Sequence, residues 1–226
     1  MNHDEVVMHR DTVLAAVEKK RGYTLAYHQL FAGLDSQLLE RYDRFYEALT
    51  LREKYLAPRE KELIWIAILA IASEEAGSIH LQRAAAAGVR TDEITASLSI
   101  AQLVRGFSIW SFVEKCWKDN LPGLDEMAAY DRIVDKTMDH RLLPPELTEL
   151  IFIGAAAAAA DARLLEHHYL RAAALGVAEE KIAEAMSFIF IPCGGNQLLD
   201  MATVIKNAVE AGKSAPTSIF QIWLCS

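Results

Sequence analysis

The stretch "YDRFYEALTLREKYLAPREKELIWIAILAIA", residues 42–72, returns as "YDRIVDKTMDHRLLPPELTELIFIGAAAAAA", residues 130–160. Tyr42 falls on Tyr130 and Pro58 on Pro145, a shift of 88 and then 87 positions. The match continues downstream. "HLQRAAAAGVRTDEITASL", from His80, meets "HYLRAAALGVAEEKIAEAM", from His168, and Gly106 falls opposite Gly194. Self-similarity of this length means that one supersecondary unit occurs twice, so the fold is read from one copy and checked on the other. The repeat predicts four segments: an N-terminal helical extension over 1–27, a first module over 28–115, a second over 116–212, and a tail over 213–226.

Each copy reads as helix throughout. Apolar residues recur at three and four positions, and the alternation of a half-buried strand is absent. Pro58 and Pro145 stand where a first helical turn tolerates proline, each opening the long apolar helix of its copy. Gly88 and Gly176 close the alanine-rich helix that follows. Thr91 precedes "DEITASLSIAQLV", with acids in the first turn where the helix dipole favours them. Pro192, Gly194 and Gly195 end the corresponding helix of the second copy and turn the chain into a last one, "NQLLDMATVIKNAVEAG". The alanine tracts predict inner helices that pack closely, because alanine has the best helix propensity and the smallest side chain that keeps it. The expected fold is therefore all-α, a tandem duplication of one helical module. The apolar tail "SAPTSIFQIWLCS" is expected either to be tied down on a neighbour or to stand exposed.

Composition narrows the function classes. The chain has 226 residues, 52% hydrophobic and 24% charged, with a net charge of -8. Acids and bases are mixed rather than blocked, which argues against nucleic acid or an anionic membrane surface as a partner. The longest apolar runs, "LIWIAILAIA" and "LIFIGAAAAAA", fall short of the roughly 20 residues that span a bilayer. The N-terminal "MNHDEVVMHRDTVLAAVEKKRGY" lacks the pattern of a signal peptide. Cys116, Cys193 and Cys225 are far apart and in no metal-ligand spacing, so neither a disulfide framework nor a zinc site is predicted, and a cytoplasmic setting fits.

The order proline, Glu-Leu-Ile, apolar helix, His, alanines, glycine and Glu-Ile in "LAPREKELIWIAILAIASEEAGSIHLQRAAAAGVRTDEI" resembles the carboxymuconolactone decarboxylase family, which includes the alkylhydroperoxidase-D-like peroxidases. It recurs more loosely as "LPPELTELIFIGAAAAAADARLLEHHYLRAAALGVAEEKI", and with the preceding helices the resemblance covers residues 25–210. It implies an all-helical fold, homo-oligomers (a trimer, with a dimer next) and a site near the start of the helix that carries the histidine. The peroxidase branch places a Cys-x-x-Cys pair seven and four residues before that histidine. Here those positions are Ser73 and Ala76 in the first copy and Asp161 and Leu164 in the second. Without a thiolate the dithiol reaction is not expected. The decarboxylase branch is the closer kin, and it implies a lyase acting on a small carboxylated lactone or organic acid in aromatic-compound catabolism, with no metal and no organic cofactor.

Candidate site residues follow. His80, near a helix N-terminus, suits general acid or base work near neutral pH. Arg83, one turn on, and Ser73 are expected to bind substrate, Arg83 by holding its carboxylate. Glu74 and Glu75, beside Ser73, are expected to orient the imidazole, although a Glu-Glu pair at a helix end is commonly solvated. Glu62 and Glu149 recur in the first turn of the apolar helix, favoured there by the dipole or joined to a proton relay, the role a glutamate near this position plays in the peroxidase relatives. The second copy keeps His168 and Arg171, adds His167 and offers Asp161. One copy is expected to be active, the first by preference, and the other mainly structural. Gly194 and Gly195 suit either close approach to a ligand or a plain helix end. Two other classes stay open: a redox enzyme with relocated thiols at Cys116 or Cys193, and an oligomeric binding scaffold without chemistry.

Overall fold

The computed structural model describes residues 3–225, apart from the side chains of residues 3–6 and 76. Met1, Asn2 and Ser226, which belong to the expected extension and tail, lie outside the described residues. Among the described residues there is no strand, as the repeat predicts. Two compact units divide the chain at Arg52 and Glu53.

The first unit holds α1 (His3–Arg21), α2 (Ala26–Leu34), α3 (Ser36–Tyr46) and a π-helical turn, Glu47–Leu51. Asp35 starts α3 by accepting the Gln37 backbone N–H at 2.9 Å, as an N-cap carboxylate does. Val13, Val17, Ala32 and Leu39 form a small apolar core. Beside it Arg21, fully buried at its side chain, donates to Asp43 at 2.9 Å and lies 3.9 Å over the Tyr46 ring. The Tyr42 and Tyr27 hydroxyls pair at 2.8 Å.

The second unit is built on α4 (Pro58–Ala72) and α8 (Pro145–Ala158). Each is buried on all faces over an unbroken run, Lys61–Leu69 and Leu147–Ala157, which is why neither shows a polar stripe. They pack directly on each other. A Cβ built on Gly154 would stand 2.9 Å from Ile64 Cγ2 and 3.1 Å from Ile68 Cδ1, so the small residue sets the approach. Both prolines sit at the helix start as expected. After α4 the chain turns through Ser73, at φ 55°, and the 3₁₀ turn Glu75–Gly77 into α5 (Ser78–Ala86). After α8 it turns through Ala160, also at φ 55°, directly into α9 (Ala162–Ala174). Gly88 and Gly176, at φ 74° and 73°, close α5 and α9 in the left-handed conformation that a Cβ disfavours.

The copies differ in what comes next. In the first, α6 (Thr91–Trp117) runs unbroken and leads through the 3₁₀ turn Lys118–Asn120 to α7 (Glu126–Thr137). In the second, the same stretch is α10 (Glu179–Ser187), α11 (Phe190–Cys193) and α12 (Gly195–Glu210), broken at Gly194 with φ 88°. Pro192 replaces a helix-compatible residue there and removes a donor. Residues 91–120 are long and apolar enough to cross a membrane by length and composition. Yet α6 buries Ile100, Val104 and Phe107, and its Ser97 hydroxyl donates to the Leu63 carbonyl at 2.7 Å, which are contacts of a core helix.

The tail is tied down. Its helix α13 (Ile219–Leu224) buries Phe220, and the Glu179 carboxylate accepts the Thr217, Ser218 and Phe220 backbone N–H groups at 2.6, 2.9 and 3.0 Å. Burial alone would raise the Glu179 pKa. The three N–H donors outweigh it and hold the carboxyl below the usual range.

Candidate functional site

Glu62 is the fifth residue of α4 and His80 the third of α5. The chain returns along α4, and this brings the His80 ring level with the first turns of the apolar helix. His80 Nδ1 stands 2.7 Å from Glu62 Oε2, and His80 is 6% exposed. Trp65, one turn along α4 from Glu62, stacks on the imidazole with centroids 4.8 Å apart and an interplanar angle of 29°. Phe188, just after α10, also stacks on the indole, at 4.9 Å and 20°. Among the described residues Glu62 is the hydrogen-bond partner of the His80 ring. A carboxylate there is an acceptor for an Nδ1 proton, and Nε2 is the nitrogen left for acid–base work.

The carboxylate that orients His80 is therefore Glu62, and not Glu74 or Glu75 as the local spacing suggests. Ser73 takes the left-handed conformation and the following 3₁₀ turn directs both glutamates outward, where they are exposed. Ser73, Glu74 and Glu75 do come together, at the rim of a cavity of about 320 Å³. Ile66, Leu69, Ala70, Leu81 and Leu98 supply its apolar wall. Ile66 and Leu81 are the sequence neighbours of Trp65 and His80, but His80 and Glu62 are not themselves part of the cavity lining. Arg83 is half-buried one turn further along α5. The side chain of Ala76 lies outside the described residues.

The second copy repeats the dyad and closes it. His168 Nδ1 stands 2.6 Å from Glu149 Oε2, and the ring lies parallel to Phe152 at 4.0 Å and 3°. Here Nε2 is also taken, 3.0 Å from the Tyr130 hydroxyl, and the imidazole is 0% exposed. Arg171 donates to Glu149 Oε1 at 2.8 Å and to Asp131 at 3.1 Å, and His167 Nε2 meets the same Asp131 oxygen at 2.8 Å. Burial pushes the His168 pKa down, against the pull of Glu149. Burial would push Glu149 up, but His168 and Arg171 hold its carboxyl below the usual range. The Tyr130 phenol is raised by burial far above its ordinary value.

Arg171 is thus committed to an internal carboxylate and not offered to a substrate. Asp161 caps α9 by accepting the Leu164 N–H at 3.0 Å, a structural duty. Because α9 starts directly after Asp161, His168 is its seventh residue, whereas His80 is the third of α5. Gly194 serves the break before α12, and a Cβ on Gly195 would stand 3.3 Å from the Phe190 ring. Trp65, Phe188, Tyr130 and Asp131 were not singled out by sequence. The available signal was their spacing: Trp65 and Phe152 each follow the recurring glutamate by three positions, and Tyr-Asp opens both copies.

Among the described residues no three His, Cys, Asp or Glu side chains are grouped to hold a metal ion. The cysteines stand away from His80 in the chain, Cys116 near the end of α6, Cys193 closing α11 and Cys225 after α13. Burial pushes the Cys193 thiol pKa up, against thiolate formation.

The family model of the carboxymuconolactone decarboxylase family matches residues 36–118 and 125–207. No curated protein and no solved structure matches the chain.

Proposed function

The chain belongs to the carboxymuconolactone decarboxylase family, and on that premise we propose that it is a cofactor-independent proton-transfer enzyme of the decarboxylase kind, working from the first copy on a small carboxylated lactone or organic acid. The observation that carries this reading is the contrast between the two dyads. His168 is bonded at both ring nitrogens and is 0% exposed, while His80, among the described residues, is bonded at Nδ1 and is 6% exposed. An imidazole with one nitrogen anchored by a carboxylate and the other unbonded can offer that nitrogen to a substrate; His168, sealed with both nitrogens on internal groups, offers none.

In this reading the bond between the lactone ring carbon and its carboxylate breaks, and the electron pair moves into the conjugated carbonyl as carbon dioxide leaves. His80, protonated at Nε2 from solvent, then delivers that proton to carbon, and Glu62 balances the imidazolium charge before the transfer. Arg83 holds the substrate carboxylate as a charge-assisted contact. The chemistry needs no thiol, in keeping with Ser73 at the position where the dithiol relatives carry cysteine. Self-association into a homo-oligomer remains part of the proposal, with the exposed Ile109, Phe112 and Trp117 of α6 as apolar surface for it.

Carbon dioxide release and deuterium uptake from D₂O are measured on an unsaturated γ-carboxylactone. His80→Ala and Glu62→Gln are expected to lower turnover by about 10²- to 10⁴-fold, the cost of removing a general acid or base. Turnover that survives His80→Ala and disappears in a folded His168→Ala protein would move the chemistry to the second copy and end this reading.

A further inference from the structure

The rings around His80 continue past the first copy. The imidazole lies on Trp65 and Trp65 lies on Phe188, which belongs to the second copy. Two more groups of that copy brace the base of the column. Glu184 of α10, buried, accepts the Tyr55 and Leu56 backbone N–H groups at 2.9 and 3.0 Å, in the segment that enters α4. Its Oε1 stands 3.9 Å from the ammonium of Lys61, a buried residue of α4 that lies 5.9 Å from the centre of the Phe188 ring. Lys181 adds an outer tie to Glu60 at 2.9 Å.

The reverse arrangement is missing from the sequence. Phe188, Glu184 and Lys61 have as counterparts Ile100, Ala96 and Thr148, none of which carries a ring face or a charge. His168 rests on Phe152 without them, and its plane is fixed by hydrogen bonds at both nitrogens. His80 has one such bond. A ring held at one nitrogen still swings about that contact, so its plane has to be set from its faces, and stacked aromatic neighbours do this at little conformational cost.

We propose that the second copy supplies positioning residues to the site of the first: Phe188, acting through Trp65, sets the plane of the His80 imidazole, and Glu184 anchors that column to the start of α4. The proposal rests on the reading of His80 as the proton-transferring group and adds that the site is incomplete without the second copy. The charged groups that contact this cluster are Glu62 and Lys61 from α4 and Glu184 from α10.

The test reads the ring itself. In ¹⁵N-labelled full-length protein at neutral pH, the His80 ring nitrogens are assigned by their loss in His80→Gln. The wild type is expected to show one sharp set of His80 ring signals, as a ring held in one plane does. Phe188→Leu keeps the apolar volume and removes the ring face, and is expected to double or exchange-broaden that set as the ring samples a second orientation about its Glu62 contact. Phe188→Tyr and Trp65→Phe retain a ring face, the latter as Phe152 does naturally, and are expected to keep the single set. A folded Phe188→Leu protein with a single sharp set of His80 signals overturns the proposal. If that variant does not fold, Glu184→Gln decides by the same criterion: doubled or broadened signals support the anchor and a single sharp set overturns it. Because the readout needs no substrate, doubled signals in Phe188→Leu alongside full turnover in His80→Ala would sink the catalytic reading and leave the positioning one intact.

Discussion

Removing the His168 ring tests the division of labour between the copies most directly. The His168→Ala change deletes a buried ring stacked at 4.0 Å on Phe152. Losing a buried aromatic side chain costs about 3–5 kcal/mol where the surroundings do not collapse. The change also leaves the Tyr130 hydroxyl without its partner at 3.0 Å, in a place where Tyr130 is 1% exposed. An orphaned buried polar group adds roughly 1–3 kcal/mol. Glu149 keeps Arg171 at 2.8 Å, so its charge is not abandoned. The sum is at least about 4 kcal/mol, a large part of the roughly 5–15 kcal/mol that holds a typical domain. For a unit of this size that corresponds to a fall in Tm of roughly 8–16 °C. All four tryptophans, Trp65, Trp110, Trp117 and Trp223, lie in the unit from Glu53 onward, so urea unfolding followed by tryptophan fluorescence reports on it alone. Below the transition, turnover per folded molecule should stay within a few-fold of the parent. A loss of less than about 1 kcal/mol would refute the energetic reasoning. Abolished turnover in a molecule that remains folded would refute the assignment.

The first unit should weaken in acid. Burial, and then the Arg21 cation 3.1 Å from Nε2, push the His28 pKa down to about 4 from 6.5. The folded state resists a proton that the unfolded chain takes up, so this stability is present above about pH 6.5 and is lost as the pH falls toward 4, by roughly 3 kcal/mol in full. Urea midpoints by circular dichroism at pH 7 and 4.5 should differ for the parent and much less for His28→Gln; equal pH dependence in both would remove the cause. Gly154→Leu should destabilise by about 3 kcal/mol or more, since even a Cβ would lie 2.9 Å from Ile64. Gly154→Ala should cost less, as a gain of about 1 kcal/mol in helix propensity offsets part of the overpacking. A thermal scan in which the leucine variant melts with the parent would deny the close approach of α4 and α8.

What the sequence made legible was whatever a local pattern dictates twice. Pro58 and Pro145 open their helices, Gly88 and Gly176 close theirs, and the all-apolar runs became the two buried helices, because each depends on backbone sterics or burial within one segment. The partner of His80 was not legible in that way. Glu74 and Glu75 are close to it in sequence, but the left-handed turn at Ser73 sends them outward, and the return of α5 along α4 selects Glu62, 18 positions upstream. Tyr-Asp at the head of each copy shows the same limit. Asp131 pairs with Arg171 and His167, while Asp43 takes Arg21 and Lys20 of the first unit. Identical residues in corresponding places acquire different partners once a different element supplies the cations.

The sealed dyad bears on why the copies diverged. A buried imidazole and carboxylate lose hydration, and their attraction offsets that loss only if the remaining lone pairs and protons find partners. In the second copy they do: Tyr130 takes Nε2, Arg171 takes the free carboxylate oxygen, and Asp131 with His167 neutralises and orients the arginine. That network is well satisfied and its imidazole is 0% exposed, so no ring nitrogen of His168 is open to a substrate. The first copy keeps the histidine and its glutamate and fixes them by stacking and not by further hydrogen bonds. Stacking constrains the plane of the ring without occupying Nε2. Both imidazoles thus lie on an aromatic face and on a glutamate, and the copy that adds no second hydrogen bond to the ring leaves a nitrogen for chemistry.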